Sequence, residues 1–376
     1  MTSPVRKILI IGGGFSGMAA AIQCALQGLE VDLVEVDPNW RSYGAGISIG
    51  GATLRALGTL GVLPRFLEVG SAHDGAQLFT AQGQLLAELP TPRVAGADVP
   101  GGGAIMRPAL AALMADAVRA GSTRVRLGCS FTHIEPAGDG VDVAFTDGTR
   151  GRYDLVVGAD GLNSSVRKAV FPDAPVPRYS GQGVWRAVLP RPEGVNNTMM
   201  WVGPKVKTGV NPVSKTEMYL FVTEDRPVNE RVEPERFVPA LKALLEPFSA
   251  PLLQQIRESL GPDSRIIYRP LEGLLVPQPW YRGRVVLIGD TVHATTPHLA
   301  SGACIGIEDG IVLAEELGRA ASTEVALRAF QQRRWERCRM VVENSARLGE
   351  IEIASGDKAE HARIMRESMI ALAQPI

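Results

Sequence analysis

Four apolar residues, Ile8-Leu9-Ile10-Ile11, run straight into Gly12-Gly13-Gly14-Phe15-Ser16-Gly17, then into a helical pattern from Met18 to Gln27 and a strand pattern from Val31 to Val36. Glycines 12, 14 and 17 spell G-x-G-x-x-G, and Glu35 falls 18 residues past the last of them. Two strands joined through a helix seed a parallel sheet with helices packed on it, so this unit commits the chain to an α/β fold. Each residue type has a physical reason. Gly12 makes the turn, Gly14 lets the backbone approach a pyrophosphate, Gly17 lets helix pack on strand, and Glu35 accepts from ribose hydroxyls. A G-x-G-x-x-G alone is weak evidence, because glycine-rich turns are common; with strand, helix and acid in register it points to a bound dinucleotide. The same segment is not expected to cross a membrane, since glycines, Ser16 and Gln23 break its apolar runs.

A second stretch, GDTVHATTPHLASGACIGIEDG from Gly289 to Gly310, carries the next constraint. Arg284 to Ile288 is a short β-branched strand stopping at glycine, so Asp290 stands at a strand's carboxyl end, where α/β sheets bind ligands. Ala303, Ile305, Ile307, Val312, Leu313 and Leu317 share one face of a helix opening after Ser301-Gly302, with Ser301 placed to cap it. The first N–H groups of such a helix favour an anion.

With 376 residues and 45% hydrophobic content the chain can bury a large core, and a net charge of −1 gives no reason to expect nucleic acid as a partner. Cys24, Cys129, Cys304 and Cys338 show neither CxxC nor zinc spacing, so no metal is expected, and the thiols are expected to be buried in a reducing compartment, the cytoplasm. Asp154 to Gly161 is a strand ending in Ala-Asp-Gly, with Arg167 shortly after, and Arg107 opens a helix carrying Leu110, Leu113 and Ala117. Between about 180 and 270 the pattern shifts to alternating strands at Gly183 to Leu189, Thr198 to Val202 and Glu217 to Val222, then helices at Arg236 to Leu245 and Leu252 to Leu260. Past Arg319 the chain is helical, with Val325, Phe330, Trp335, Cys338, Val342 and Leu348 on one face; Arg333, Arg334, Arg337 and Arg339 suit a solvated face.

GGGFSG with Glu35, GADG with Arg167, and GDTVHATTP, in this order, resemble the single-component flavoprotein aromatic hydroxylases, most closely those acting on urate, 6-hydroxynicotinate and 3-hydroxybenzoate. The resemblance implies a p-hydroxybenzoate hydroxylase-like α/β fold. A Rossmann-like FAD-binding domain (1–72, 100–180 and 280–350) would carry an inserted antiparallel β-sheet substrate domain (73–99 and 181–279) and a C-terminal helix (351–376). It implies that Gly12, Gly14, Phe15, Ser16, Gly17 and Glu35 hold the ADP half of FAD. Arg107 would contact the cofactor, Asp290 the ribityl chain, and Asp160 with Arg167 both FAD and NAD(P)H. Pro297 would line the isoalloxazine, and the N–H groups at Gly302 and Ala303 would face its negative charge. Thr291-Val292 departs from the Ala-Ala usual there.

Such an enzyme is an FAD-dependent monooxygenase. It spends NADH or NADPH and molecular oxygen, through a flavin C4a-hydroperoxide, on a small phenolic or N-heteroaromatic substrate, with decarboxylation when a carboxyl occupies the attacked carbon. A base or a cation should therefore face the flavin. His298, one residue past Pro297, is the first candidate; Lys207 (with Lys205 nearby) and Tyr219 follow, and Ser48, Tyr43, Trp185 and Arg186 are pocket candidates. His293 is expected to pack or hydrogen-bond near the cofactor. The alternatives are a halogenase or reductase of the same fold, or a non-catalytic dinucleotide-binding protein. A monomer or homodimer without a membrane span is expected.

Overall fold

The computed structural model describes residues 5–203 and 206–376, so Lys205 lies outside the described residues. Its first sheet has six strands in the order Tyr281–Arg282, Val285–Leu287, Leu155–Gly158, Lys7–Ile11, Glu30–Glu35, Arg124–Leu127. All pairs are parallel except the Tyr281–Arg282 edge. Residues 8–11 and 155–157, in the two middle strands, are apolar throughout because both faces are covered. The helices Phe15–Leu26 and Gly302–Arg319 share its core, and the antiparallel strands Phe131–Ala137, Gly140–Phe145 and Arg150–Tyr153 add Val141, Val143, Phe145 and Tyr153. The first helix begins at Phe15, three residues before the apolar pattern, because the extended Gly14 ends the turn there.

Glycines set how closely these layers approach. A Cβ on Gly17 would fall inside the Gly12 carbonyl oxygen, and one on Gly310 would meet the Ala19-Ala20 backbone of the first helix. Gly306 and Gly289 both abut the Ser16 hydroxyl in the same way, so helix Gly302–Arg319 lies directly on helix Phe15–Leu26.

The second sheet has seven strands, in the order Arg265–Gly273, Arg178–Pro190, Glu217–Asp225, Val206–Pro212, Thr198–Val202, Ala76–Thr80, Leu85–Leu89. Alternation divides it into two faces. Trp185, Ala187, Val210, Leu220 and Val222 pack in one core with residues of the helices Phe237–Leu245 and Pro251–Ser259. The opposite face turns toward the first domain, where Val188, Val213 and Tyr219 meet Ala45 and Ala104.

The chain closes with the helices Thr323–Ile353 and Lys358–Ala373, capped by the Ser322 and Asp357 side chains. Two expectations need correction here. Val325 is exposed, and the arginine run is not a solvated face: Arg334 is fully buried and Arg337 nearly so. They pair with buried carboxylates on the neighbouring helix. Among the described residues no helix is long and apolar enough to cross a membrane.

Candidate active site

Gly289, at φ 65°, turns the chain out of the Val285–Leu287 strand into one helical turn, Asp290–His293, which leaves Asp290 exposed. The Asp290 carboxylate makes no hydrogen bond or ion pair among the described residues. Across from it Arg107 stacks its guanidinium over Phe15, 5.0 Å from the ring centre, and it too lacks a hydrogen-bonded or ion-paired partner for that group among the described residues. Burial lowers the Arg107 pKa and the Asp290 charge partly restores it. Ser301 does not cap the helix Gly302–Arg319: its hydroxyl donates to the Leu299 carbonyl at 2.7 Å. That helix start therefore has neither a side-chain cap nor an acid in its first turn.

The loop is held from below by buried charge. Asp309 Oδ2 accepts the Gly289 N–H at 2.8 Å and lies 2.5 Å from His293 Nε2, while its Oδ1 accepts from Arg334 Nε at 2.8 Å. Burial works against the Asp309 charge, but His293 and Arg334 outweigh it and hold the pKa at about 2. Burial would likewise lower that of His293; Cys338 and Asp309 overcome it and raise the pKa well above the imidazole range. Arg334 also bonds Glu308 at 3.0 Å, and Arg337 bonds the same carboxylate at 2.7 Å. His293, Asp309 and Cys338 bring three ligand-type atoms within 4.8 Å of one another, but the Arg334 guanidinium already supplies the cation, donating to Asp309 and the Cys338 sulfur.

The Thr291 departure has a role of its own. Its buried hydroxyl accepts the Gly161 N–H at 3.2 Å, and its carbonyl accepts from Arg167 Nη1 at 2.7 Å. Arg167 thus clamps the Ala-Asp-Gly turn to the Asp290 loop. Asp160 is committed to the start of helix Ser165–Val170, accepting the Ser165 and Val166 N–H groups and the Ser164 hydroxyl.

These features fit FAD. The helix start at Phe15 has no side-chain cap and no acid, and a Cβ on Gly14 would meet no protein atom within 4 Å, so the backbone there is open to a pyrophosphate. Glu35 accepts the Gly13 and Asp37 N–H groups at 2.7 and 2.8 Å, which fixes its carboxylate while leaving lone pairs for a ribose. Arg107, Asp290 and the open helix start at Gly302 would serve the ribityl and ring half. Ala300 closes the turn Pro297–Leu299 in the left-handed region at φ 49°, exposed, where a side chain costs about 1 kcal/mol. Ala300→Gly is expected to raise the stability of the apoprotein by up to that amount, read as a higher melting temperature.

The inner face of the seven-stranded sheet supplies the opposite wall. Three cross-strand rows share it: Val184–Thr223–Lys207, Arg186–Phe221–Gly209 and Val188–Tyr219–Asn211. The Asn211 amide donates to both the Tyr219 and Ser48 hydroxyls, at 2.9 and 3.1 Å, and those hydroxyls bond each other at 2.7 Å. The Arg186 guanidinium has no hydrogen bond or ion pair among the described residues. Burial lowers its pKa, Tyr219 opposes that, and Arg107 and Arg269 add to it. Tyr43 is exposed, and Trp185 is buried on the far face against Phe237 and Tyr268, so neither lines this cleft.

The other two candidates meet elsewhere on the rim. Lys207 Nζ donates to Glu352 Oε1 at 2.6 Å, and His298 Nε2 faces Glu352 Oε2 at 3.5 Å. The His298 side chain is 2% exposed, lying against Gly349 of the long helix, with Nδ1 2.9 Å from the Thr296 hydroxyl. Asn211, Glu352, Asp309 and Arg334 were not singled out from the sequence as site residues. Glu308-Asp309 next to a glycine was the one visible signal, because two adjacent acids inside an apolar helix need buried partners.

The FAD binding domain family matches residues 6–345. The chain is 32% identical over 352 residues to the aurachin C monooxygenase/isomerase of Stigmatella aurantiaca, covering 92% of this chain and 89% of that protein. It is 33% identical over 355 residues to a 2-heptyl-3-hydroxy-4(1H)-quinolone synthase of Pseudomonas aeruginosa, covering 92% and 90%. The structure of Klebsiella pneumoniae HpxO complexed with FAD and uric acid superposes with a TM-score of 0.85 at 24% identity, covering 98% of this chain and 97% of that one. That likeness shows the fold. With sequence, cradle and relatives in agreement, the chain belongs to the FAD binding domain family and is an FAD-dependent monooxygenase of the aromatic-hydroxylase kind.

Proposed function

We propose that the enzyme hydroxylates a small phenolic or N-heteroaromatic ring held between the Arg186–Tyr219 face of the sheet and the Pro297 loop. Bound FAD, reduced by NADH or NADPH, would deliver an oxygen atom from molecular oxygen. One observation carries the substrate assignment. Asn211 spends both amide protons on Ser48 and Tyr219, and one hydroxyl proton is used between that pair, so a single hydroxyl proton is left for a ligand. With the unpaired Arg186, this wall offers donors and positive charge to one acceptor, which suits an ionised ring oxygen. A ring made electron-rich in this way is activated toward an electrophilic oxygen. The quinolone synthase among the relatives supports an N-heteroaromatic ring.

In this reading Tyr219 touches the substrate oxygen, Lys207 borders the far end of the cleft, and His298, bonded to Thr296 and beside Glu352, steadies the Pro297 loop. The four buried free thiols support a reducing cytoplasm. The test is NAD(P)H oxidation across hydroxybenzoates, hydroxypyridines, quinolones and purines, with product mass measured. Gain of one oxygen atom by a ring substrate is expected; peroxide alone with every ring would sink the assignment. Tyr219→Phe should lower kcat/KM about 10-fold, about 1.4 kcal/mol, with flavin content unchanged.

A further inference from the structure

The row Val188–Tyr219–Asn211 on the inner face of the sheet continues one strand further. Met199 pairs with Val210 in the antiparallel ladder, so Thr198 falls opposite Asn211, and its hydroxyl donates to Asn211 Oδ1. The other end of that amide gives both its protons away, to Ser48 and Tyr219. Asn211 and Tyr219 are buried while Ser48 keeps some exposure, so a ligand meets the three from the Ser48 side.

An amide carries donors at one end and an acceptor at the other in nearly the same shape, so its partners decide which way it faces. In the observed orientation Ser48 and Tyr219 receive two amide protons, use one hydroxyl proton between them and keep one. Turned over, Oδ1 would draw both hydroxyl protons and leave only lone pairs toward a ligand. From this network we infer that Thr198 is a positioning residue that sets the polarity of the substrate wall. By holding Oδ1 it keeps the amide donors on the Ser48–Tyr219 pair, which makes that pair a donor to an ionised oxygen. The inference rests on the reading that this pair meets the ring oxygen of the substrate.

A second acceptor stands near the same hydroxyl. His73 Nδ1 lies 3.1 Å from the Gly75 carbonyl, which can only accept, so that nitrogen carries the hydrogen and the neutral ring turns its Nε2 lone pair to Thr198 at 3.4 Å. Asn211 Oδ1 is the much closer of the two and takes the proton. Had His73 taken it, the amide N–H groups would turn to Thr198 and the pair would favour a neutral hydroxyl.

The test reads the charge state of a phenol on the holoenzyme, without NAD(P)H. 4-Nitrophenol is yellow only when ionised, so absorbance follows its titration on the protein. The wild type should lower that titration by about one pH unit, a tenfold preference for the phenolate. Thr198→Val keeps the shape without the proton; it should lose most of the shift and weaken phenolate binding about 10-fold, with flavin content unchanged. Thr198→Ser should restore both, and Thr198→Ala makes the same test with a smaller side chain. Asn211→Asp puts acceptors where the amide donors stand and should raise the titration above that in water.

If the wild type leaves the titration of 4-nitrophenol as in water and Asn211→Asp does not raise it, the reading of this wall fails, and the inference with it. If the wild type lowers it and Thr198→Val lowers it equally or further, Thr198 only packs or gives its proton to His73, and the inference alone is overturned.

Discussion

Arg334→Met is expected to cost about 3–5 kcal/mol of stability and to release most of the FAD. Arg334 is fully buried between Asp309 and Glu308, and removing one member of a buried ion network leaves its partners' polar atoms without their donors. Glu308 keeps Arg337 and Asp309 keeps His293, so the loss falls on Asp309 Oδ1, which loses its Arg334 donor. That carboxylate fixes Gly289 N–H and His293, the two ends of the turn presenting Asp290. Unfolding midpoint and flavin content should therefore fall together. Arg334→Lys should recover little, since a point charge cannot reach Asp309, Glu308 and the Ile305 carbonyl at once. Arg334→Met with Asp309→Asn should cost less than the two single changes added, because the pair is coupled. A wild-type midpoint with full flavin in Arg334→Met would falsify the account.

Two alanines three residues apart should behave in opposite ways. Gly17→Ala puts a methyl into the Gly12 carbonyl oxygen, and the helix it belongs to is pinned from the other side by Gly306 and Gly310, so it has no room to retreat. The expected cost is on the order of 3 kcal/mol, visible in the apoprotein. Gly14→Ala meets nothing in the protein, and its φ of −74° is open to alanine. Its apoprotein should lose no more than about 1 kcal/mol, the difference between glycine and alanine at a helix cap. FAD affinity should nevertheless fall at least 10-fold, because the methyl occupies the space where the pyrophosphate approaches the backbone. Titrating apoprotein with FAD, beside a urea curve, separates the two. Equal FAD affinity in Gly14→Ala and wild type would remove that face from the cofactor site.

Much of this site was legible from local sequence. The turn at Gly12–Gly17, the acid at Glu35 and the strand, loop and helix from Arg284 to Leu317 each depend on residues close along the chain, and period and turn chemistry report them directly. The charged residues of Arg333 to Arg339 show where this stops. Helical spacing says which of them share a face, but the same spacing fits solvent and a buried partner equally well. Ser301 shows it too: a serine before a helix is a good cap by type, yet the Leu299 carbonyl, freed by the tight Pro297–Leu299 turn, captures its hydroxyl.

The amino-acid sequence by itself determined the parallel sheet and its glycine turn, and named Tyr219, Lys207 and His298 as candidates. Tertiary structure decided what those side chains face. Asn211 reaches Ser48 across 163 residues, and Glu352 reaches Lys207 across 145. Such contacts follow from how a sheet and a helix cross, and pairing over that distance leaves no periodic trace in the chain. Periodicity encodes which side of an element is buried; the identity of the partner is set when the layers pack.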